Sequence, residues 1–359
     1  MKTSRRGFLA GSAAALSLLG TNKLLANNEH LKNANTSGII NPSPEKNELI
    51  LPPPLKKGSK VAITAPASPT SIWEIANTVN LLKKLGCTVE IGDTIKNRQS
   101  KFHYFSASDD ERACEFMHFI ERKDISCILC GRGGYGVMRI LPSLDYTTIR
   151  ENPKIIVGFS DITALLNAVY YKSNVVSFHG PVACLNFSQF TKDNFIKLLF
   201  DVGSFKPIVN TFPTAQAYVA GTASGRLIGG NLSMLVSTLG TPYEIDTKDS
   251  ILFIEEISEE PYKIDKMLTQ LWLAGKFQDC CGIILGKFTH LDSRRNFWPV
   301  TSFTLRYVLE TRFKSLGIPC MTGLPIGHDS TILTLPIGIN ASFDTKKKTF
   351  TILEPPVNI

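Results

Sequence analysis

The sequence lacks the features that mark several classes of protein. It has no run of basic residues interleaved with aromatics, which argues against a nucleic-acid partner. It has no G-x-x-x-x-G-K-[ST] motif, which excludes a nucleotide-binding P-loop. It has no internal repeat. Its one prominent N-terminal apolar stretch is interrupted by Gly and Ser and is too short for a comfortable membrane span.

The bulk composition is that of an ordinary globular protein. The chain has 359 residues, of which 43% are hydrophobic and 19% charged, so it is long enough for two domains with their own cores. The formal net charge is +8, but Lys2, Arg5, Arg6 and Lys23 supply half of it without any acidic residue nearby. The lysine-rich run TKKKT at 345–349 is predicted to be a solvated hairpin turn.

The N-terminus carries an export pattern. Residues 4–9 read S-R-R-G-F-L, which matches the twin-arginine signal. We therefore expect a folded protein that meets the twin-arginine translocase during export and resides in the periplasm. Cleavage near Ala26 is poorly marked, because Leu24-x-Ala26 is not a clean Ala-x-Ala site. The leader is therefore either removed or kept as a membrane tether.

Five segments are predicted along the chain. Residues 1–26 form the signal and 27–57, rich in Asn, Ser and Pro, a flexible leader. Residues 58–190 alternate strands with helices, which predicts a parallel α/β domain with helices on both faces of the sheet. Residues 191–224 break this rhythm and are predicted to be a linker. Residues 225–359 form a smaller, β-rich α+β domain that ends in a hairpin.

Helix starts and strand ends locate the functional loops within the first domain. Ser71 with Glu74, and Ser108 with Glu111, have capping-box spacing at the start of two helices. In a parallel sheet the functional loops lie at the carboxyl ends of the strands. The glycine loop, GRGGYG at 131–136, follows one strand, and Ser160 follows another.

Ser160 has two interpretations. It stands between the apolar strand KIIV and an amphipathic helix, where Ser and Asp are favoured as helix caps. The same position suits a nucleophile elbow, which raises a Ser hydroxyl above the end of a sheet. The residue two beyond it is Ile162 rather than the Gly of G-x-S-x-G, so these residues alone leave both interpretations open.

An active serine needs a base and an acid that orients it. His328 is the candidate base, since it lies in a glycine-flanked loop, GLPIGHDS; His179, in SFHGP, either lines the pocket or is structural. Glu255 and Glu256 end an apolar strand, so one side chain faces each way. A buried carboxylate there needs a partner such as an imidazole; the alternative is a solvated pair.

The glycine loop and the cysteines complete the candidates. The backbone amides of the loop could approach a ligand as in an oxyanion hole, or the loop is simply a strand-to-helix turn. Cys127 and Cys130 form a C-x-x-C pattern inside an apolar strand, where their side chains face opposite ways. The eight cysteines are therefore interpreted as small apolar residues, and no metal or cofactor is predicted.

Seven segments then occur in one order, and together they resemble a known family. They read GRGGYGVMRILPSLDY, VGFSDITALLNAVY, FHGPV, GRLIGGNLSMLVSTLGTPYEID, LFIEEISEEPYKIDKML, GIILGKF and GLPIGHDSTILTLPIG. The chain resembles the LD-carboxypeptidases, the muramoyltetrapeptide carboxypeptidase family of serine peptidases, from about residue 58 to 353. The resemblance implies a parallel α/β domain with a smaller β-rich domain. It also implies Ser160 as nucleophile, Glu255 as acid and His328 as base.

The resemblance implies a substrate, and the placement of the loops predicts binding residues. The substrate is a murein tetrapeptide that loses its terminal D-Ala. The oxyanion hole is expected to use the amide of Asp161 with that of Gly133 or Gly134. A fixed cation or amide must recognise the free carboxylate, and the candidates are Arg132, Arg226 and, as a weaker one, Asn231. The alternative for Arg132 is an ordinary surface arginine, and for Arg226 a surface ion pair.

Two other functions stay open at this point. Some members of the family cleave toxic peptidyl-nucleotide conjugates, but their glycine loop usually differs from GRGGYG. The other possibility is a non-catalytic muropeptide-binding protein on the same fold. The intact Ser160, Glu255 and His328 argue against it. The export signal departs from the best-known members, which are cytoplasmic. A homodimer is also left open.

Overall fold

A computed structural model describes residues 48–97, 103–200, 204–290 and 303–358. The expected export signal and most of the expected leader lie outside these residues. Within them, no helix combines the length and the apolar character needed to cross a bilayer.

The first sheet is parallel except at one edge. Its described strands run in the order β12-β5-β4-β3-β1-β2, with β12 antiparallel to β5. The central strands β3 and β4 are largely apolar and, apart from the half-buried Ser126, fully buried, as expected when helices cover both faces of a sheet. The strands are β1 (Lys60–Thr64), β2 (Thr88–Ile91), β3 (Ile125–Cys130), β4 (Ile155–Gly158), β5 (Ser177–His179) and β12 (Leu335–Ile337).

The second sheet is mixed. Within the described chain its order is β6-β14-β13-β8-β9-β10-β11-β7, and β8 to β11 are parallel to one another. Its strands are β6 (Ile208–Thr211), β7 (Gln216–Val219), β8 (Thr222–Asn231), β9 (Ser250–Ile257), β10 (Gly282–Thr289), β11 (Cys320–Thr322), β13 (Asn340–Asp344) and β14 (Thr349–Ile352). The last two form the predicted hairpin, with the lysine run in its turn.

The helices flank these sheets. Both predicted capping boxes are present. The Ser71 and Ser108 side chains each accept the N–H of the glutamate three residues later, and the carboxylate of that glutamate accepts the N–H of the serine. The helices are α1 (Ile72–Lys84), α2 (Asp93–Lys96), α3 (Asp109–Glu121), α4 (Val137–Ile140), α5 (Tyr146–Glu151), α6 (Thr163–Ser173), α7 (Gln189–Leu199), α8 (Leu232–Ser237), α9 (Pro261–Leu273) and α10 (Leu305–Lys314). The predicted fold class, a parallel α/β unit with a second, β-rich unit, is confirmed.

The segment expected to be a linker is largely structured. Residues 191–224 contain most of α7 and both edge strands of the second sheet, β6 and β7. The two edge strands pair with β14 and β11, which lie more than a hundred residues further along the chain. Because their partners are distant, they carry no hairpin or helix rhythm that a local pattern could reveal.

Both ends of the described chain also join the first sheet's unit. In the expected leader, Ile50 bridges to Val175, and the fully buried Leu55 bridges to Phe200. The end of the leader is therefore part of the folded unit, because its apolar residues find backbone partners. Near the other end, β12 lies in sequence between two strands of the second sheet, β11 and β13, but it pairs with β5 of the first sheet.

The cysteines are free thiols and most are shielded. Cys127 and Cys130 are both fully buried in β3, and burial raises the pKa of the Cys127 thiol far above its ordinary value. Cys114 on α3 is the exposed exception. No group of His, Cys, Asp and Glu suited to a metal ion is found among the residues that the structure describes.

Candidate active site

Ser160 occupies a strained turn at the carboxyl end of β4. Its φ is +65°, a left-handed conformation that costs a non-glycine residue roughly 1–2 kcal/mol. Gly158 makes the turn tight, since a methyl group there would lie 2.7 Å from the Ile162 side chain. No side chain caps the first turn of α6, so capping does not explain the serine. The geometry is that of a nucleophile elbow.

The glycine loop packs directly against the elbow. A methyl group at Gly133 would lie 2.8 Å from Cβ of Ser160 and 3.1 Å from its Oγ, so only glycine allows this approach. Gly134 has a φ of +104° and turns beneath the Ser68 side chain. Of the two glycines predicted for an oxyanion hole, Gly133 therefore lies against Ser160, and Gly134 lies against Ser68.

Hydrogen bonds fix the glycine loop at both ends. The Ser68 N–H donates to the carbonyl of Gly133 at 3.2 Å, and the Tyr135 N–H donates to Oγ of Ser68 at 3.1 Å. At the far end the Val137 N–H donates to Oδ2 of Asp161 at 2.8 Å. Because Asp161 directly follows the serine, its side chain ties the loop to the elbow.

A buried arginine completes this support. Arg112 is fully buried and donates to the carbonyls of Gly136, at 3.0 Å, and Pro66. It also pairs with Asp109. Burial raises the pKa of the Asp161 carboxyl, while the Val137 amide and the positive charge of Arg112 act in the opposite direction.

Glu255 and His328 form a hydrogen-bonded pair. Glu255 is fully buried at the end of β9, and its Oε2 lies 2.8 Å from Nδ1 of His328. Gly327, with a φ of +101°, permits this contact, since a methyl group there would lie 2.7 Å from Cβ of Glu255. A carboxylate on Nδ1 fixes the ring and leaves Nε2 as the basic nitrogen.

The neighbouring carboxylate faces the other way. Glu256 accepts hydrogen bonds from the Ser233 N–H at 2.8 Å, the Ser233 hydroxyl at 2.6 Å and Nδ2 of Asn231 at 3.0 Å. Burial raises the pKa of Glu256 in spite of these donors. The two adjacent glutamates thus point in opposite directions, as strand alternation predicts. Glu255 points toward His328, and Glu256 points toward Asn231 and Ser233 at the start of α8.

The two sheets bring these residues together. The Phe159 ring, beside Ser160, lies 4.7 Å from the His328 ring between centroids. The Asn231 N–H donates to Oγ1 of Thr163 at 3.0 Å, which joins the end of β8 to the start of α6. The candidate nucleophile therefore comes from the first sheet, and the candidate acid and base come from beside the second.

Comparison with known proteins identifies the family. The model of the LD-carboxypeptidase N-terminal domain matches residues 61–180, and that of the C-terminal domain matches residues 224–343. The chain belongs to the LD-carboxypeptidase family. It is therefore a peptidase, and the family predicted from the seven sequence segments is confirmed.

Relatives and solved structures agree with this family. The chain is 39% identical over 309 residues to a probable murein peptide carboxypeptidase of Bacillus subtilis, covering 84% of this chain and 93% of the relative. It is 31% identical over 342 residues to the microcin self-immunity protein MccF of Escherichia coli, covering 85% and 96%. The muramoyltetrapeptide carboxypeptidase of Oxalobacter formigenes superposes with a TM-score of 0.71 at 28% identity, covering 83% and 100%.

The three predicted anchors of this LD-carboxypeptidase lie in different places. Arg132, in the glycine loop, is half exposed and forms a 3.4 Å ion pair with Glu74. Asn231 is buried beside Glu255 in the β8–β9 register, but its amide is held by Glu256.

Arg226 is not brought to the site. It lies midway along β8, five positions before Asn231, and its guanidinium donates to the Tyr170 hydroxyl at 3.2 Å. Five residues of extended strand separate the two positions, which corresponds to about 16 Å. Its hydrogen bond to Tyr170 at this distance from Asn231 places Arg226 away from the Glu255–His328 pair.

Sequence reasoning missed the parts that support the LD-carboxypeptidase site. Ser68 follows β1, and strand ends at the carboxyl edge of a parallel sheet converge, so its position in APAS was a usable signal. Arg112 gave no such signal, because a charged residue on an amphipathic helix normally faces solvent. Its burial depends on the carbonyls of Pro66 and Gly136, which only the folded loops present.

Proposed function

We propose that this LD-carboxypeptidase is a serine peptidase that removes the terminal D-Ala from murein tetrapeptide. The observation that carries the proposal is the strained Ser160 beside Gly133, together with the hydrogen-bonded Glu255–His328 pair. The His328 ring contacts Phe159, the residue that directly precedes Ser160. The substrate class is taken from the murein peptide and muramoyltetrapeptide carboxypeptidases among its relatives.

The first half of the reaction acylates the serine. Oγ of Ser160 attacks the carbonyl of the amide between the L-centre of the diamino acid and the terminal D-Ala. Nε2 of His328 takes the hydroxyl proton as the new C–O bond forms, and Glu255 stabilises the resulting imidazolium through Nδ1. The tetrahedral intermediate collapses, the C–N bond breaks, and His328 returns the proton to the departing amine of D-Ala.

The second half releases the tripeptide. A water molecule attacks the ester carbon while His328 accepts its proton. The second tetrahedral intermediate then collapses, the bond between the carbonyl carbon and Oγ of Ser160 breaks, and His328 returns the proton to Oγ. In both halves the negative charge on the carbonyl oxygen needs fixed donors. The Asp161 amide and that of Gly133 or Gly134 are proposed for this role, since the glycine loop abuts the serine.

A carboxypeptidase must also bind a free terminal carboxylate. Arg132 is the proposed anchor, because it lies in the glycine loop and its present partner, Glu74, is a half-exposed carboxylate that a substrate could replace. We expect Arg132→Ala to abolish most tetrapeptide cleavage and Arg226→Ala to leave it nearly unchanged. Tetrapeptide should be cleaved and pentapeptide should not; equal turnover of both would mean an open pocket and an endopeptidase-like amidase.

The deciding experiment is a product assay. Purified protein is incubated with murein tetrapeptide, and tripeptide and D-Ala are measured by liquid chromatography and mass spectrometry. Ser160→Ala should abolish both products, and EDTA should leave the rate unchanged because the proposed chemistry uses no metal. Full activity in Ser160→Ala would overturn the serine mechanism.

We further propose that the enzyme acts in the periplasm. The support is the twin-arginine pattern at residues 4–9, which lies outside the described residues. Replacing both arginines by lysine should trap activity in the cytoplasm of a producing cell. Periplasmic activity that persists in this variant would mean that the signal was misread.

A second candidate function rests on one comparison. The chain is 31% identical to MccF, a microcin self-immunity protein, so a peptidyl-nucleotide conjugate is the alternative substrate. The same Ser160, Glu255 and His328 would serve it. A competition assay with tetrapeptide and an aminoacyl sulfamoyl nucleoside would distinguish the two substrates by their kcat/KM values.

A further inference from the structure

His179 lies behind the candidate catalytic pair and has no assigned role. It is the last residue of β5 and is fully buried. Its backbone pairs with Gly158 on one side and Leu335 on the other. It therefore sits at the carboxyl edge of the first sheet, one strand away from the elbow.

Two aromatic rings place the His179 imidazole beside the acid and the base. It packs edge-on against Phe253, with centroids 5.1 Å apart, and against Phe159, at 5.9 Å. Phe253 is two residues before Glu255 on β9, so both side chains face the same way. The Phe159 ring also contacts the His328 ring.

Several buried polar atoms on His179 and nearby residues are unsatisfied within the described part of the chain. Both ring nitrogens of His179, Oε1 of Glu255 and Oγ1 of Thr334 have no hydrogen-bond partner among the residues that the structure describes. Thr334 immediately precedes the residue that pairs with His179, and it packs against Gly180. Buried polar atoms are rarely left unsatisfied, and a small polar site of this kind typically holds a water.

His179 is neutral at ordinary pH. Burial lowers its pKa to about 4, and the positive charge of His328 acts in the same direction, while the negative charge of Glu255 opposes both. These are the titratable groups that face it from β9 and from the loop before β12. A neutral imidazole offers one N–H donor and one acceptor nitrogen.

We propose that His179 is a positioning residue that donates a hydrogen bond, through one buried water, to Oε1 of Glu255. Oε2 then stays directed at His328 and both carboxylate oxygens are held. The inference rests on the proposed function only in assigning catalytic roles to Glu255 and His328; the hydrogen bond itself can be tested without activity.

Replacing the donor should change the base as well as the rate. In His179→Phe the carboxylate loses a donor, becomes more basic and holds the His328 proton more tightly. We expect kcat to fall roughly 10- to 100-fold with KM within about twofold, and the acidic limb of the pH profile to move to higher pH. His179→Gln, which keeps an amide donor of similar reach, should recover part of kcat and move the limb back.

A packing control separates this role from a structural one. Phe253→Leu removes ring contact with His179 but no hydrogen-bonding group, so it should lower Tm without moving the acidic limb. If His179→Phe behaves in the same way, with a lower Tm and an unmoved limb, His179 is only a packing residue and the proposal is overturned.

A readout independent of activity completes the test. In protein carrying ¹⁵N-labelled histidine, the His179 ring should be neutral at pH 6 with a slowly exchanging N–H, and His328 should titrate at higher pH in His179→Phe. A charged His179 at pH 6, or an unchanged His328 titration, contradicts the proposal. A wild-type enzyme that fails to cleave tetrapeptide would instead contradict the proposed function and leave this titration informative.

Discussion

The two sides of the site are held by different means. The nucleophile side, consisting of Ser160, Asp161 and the glycine loop, is fixed by strained backbone and by hydrogen bonds to backbone groups. The acid–base side, consisting of Glu255, Gly327 and His328, depends on one 2.8 Å side-chain contact between residues 73 positions apart. The first side should therefore be sensitive to added atoms, and the second to a change of a single side-chain group.

The largest expected effect is loss of a reacting group. Ser160→Ala or His328→Ala should lower kcat roughly 10⁴- to 10⁶-fold, because nucleophile and base act as one unit. The double variant should cost little more than either single one. Steady-state kinetics with murein tetrapeptide measures this, with circular dichroism to confirm folding; additive losses would show that the two groups do not cooperate.

The adjacent carboxylates give the next contrast. Glu255→Gln should lower kcat roughly 10³- to 10⁴-fold with little change in Tm, because the amide favours the wrong imidazole tautomer. Glu256→Gln should cost about 1–3 kcal/mol of stability, because its amide would face the donors on Ser233 and Asn231. Its kcat per folded molecule should stay within a few-fold. Measured kcat and Tm that follow the reverse pattern would mean that the two roles are exchanged.

Matched glycine substitutions test the two sides with the same added methyl group. Gly133→Ala presses on Ser160, and Gly327→Ala presses on Glu255 and must also adopt a φ of +101°. Each should lower kcat roughly 10²-fold, since misplacement by about 1 Å is sufficient. Gly240→Ala, with a φ of +73° and open space around it, is the control for backbone strain alone. It should lower Tm and leave kcat unchanged.

The smallest effect concerns Asp161 and pH. Burial raises its pKa above the ordinary 3.8, so ionisation is disfavoured in the folded state. Its contribution to stability is fully present below the ordinary carboxyl range and is lost as pH rises through the raised pKa. Asp161→Asn can still accept the Val137 N–H and should remove this dependence while keeping most activity.

The measurement for Asp161 is Tm against pH. The wild type should lose stability relative to Asp161→Asn between pH 4 and the raised pKa, and Asp161→Ala should be less stable than both because the Val137 N–H is left unpaired. Parallel curves for the wild type and Asp161→Asn would mean that this carboxyl does not titrate differently on folding.

The sequence predicted the parts of this protein that have local signals. The capping boxes at Ser71 and Ser108, the alternation of strands and helices and the placement of Ser160 at a strand end all depend on neighbouring residues. The contact between Glu255 and His328 could be expected only through the family resemblance, since nothing local joins them.

What could not be predicted depends on distant partners. The edge strands β6 and β7 have the local pattern of a linker because β14 and β11, which pair with them, come much later in the chain. Arg226 is a candidate anchor from its place at the start of the second domain, with a surface ion pair as the alternative, yet five more residues of β8 separate it from Asn231 at the site end. Burial of Arg112 needs carbonyls from two loops at once.

The return of β12 to the first sheet has a consequence for how the protein can be divided. A chain that stops at residue 190 would lack Leu335–Ile337, and β5 would become an open edge with unpaired backbone donors and acceptors. Such an edge recruits strands from other molecules. The amino-terminal part is thus expected to self-associate when produced alone, and soluble protein would require residues 335–337 to be supplied on the same chain or as a separate peptide.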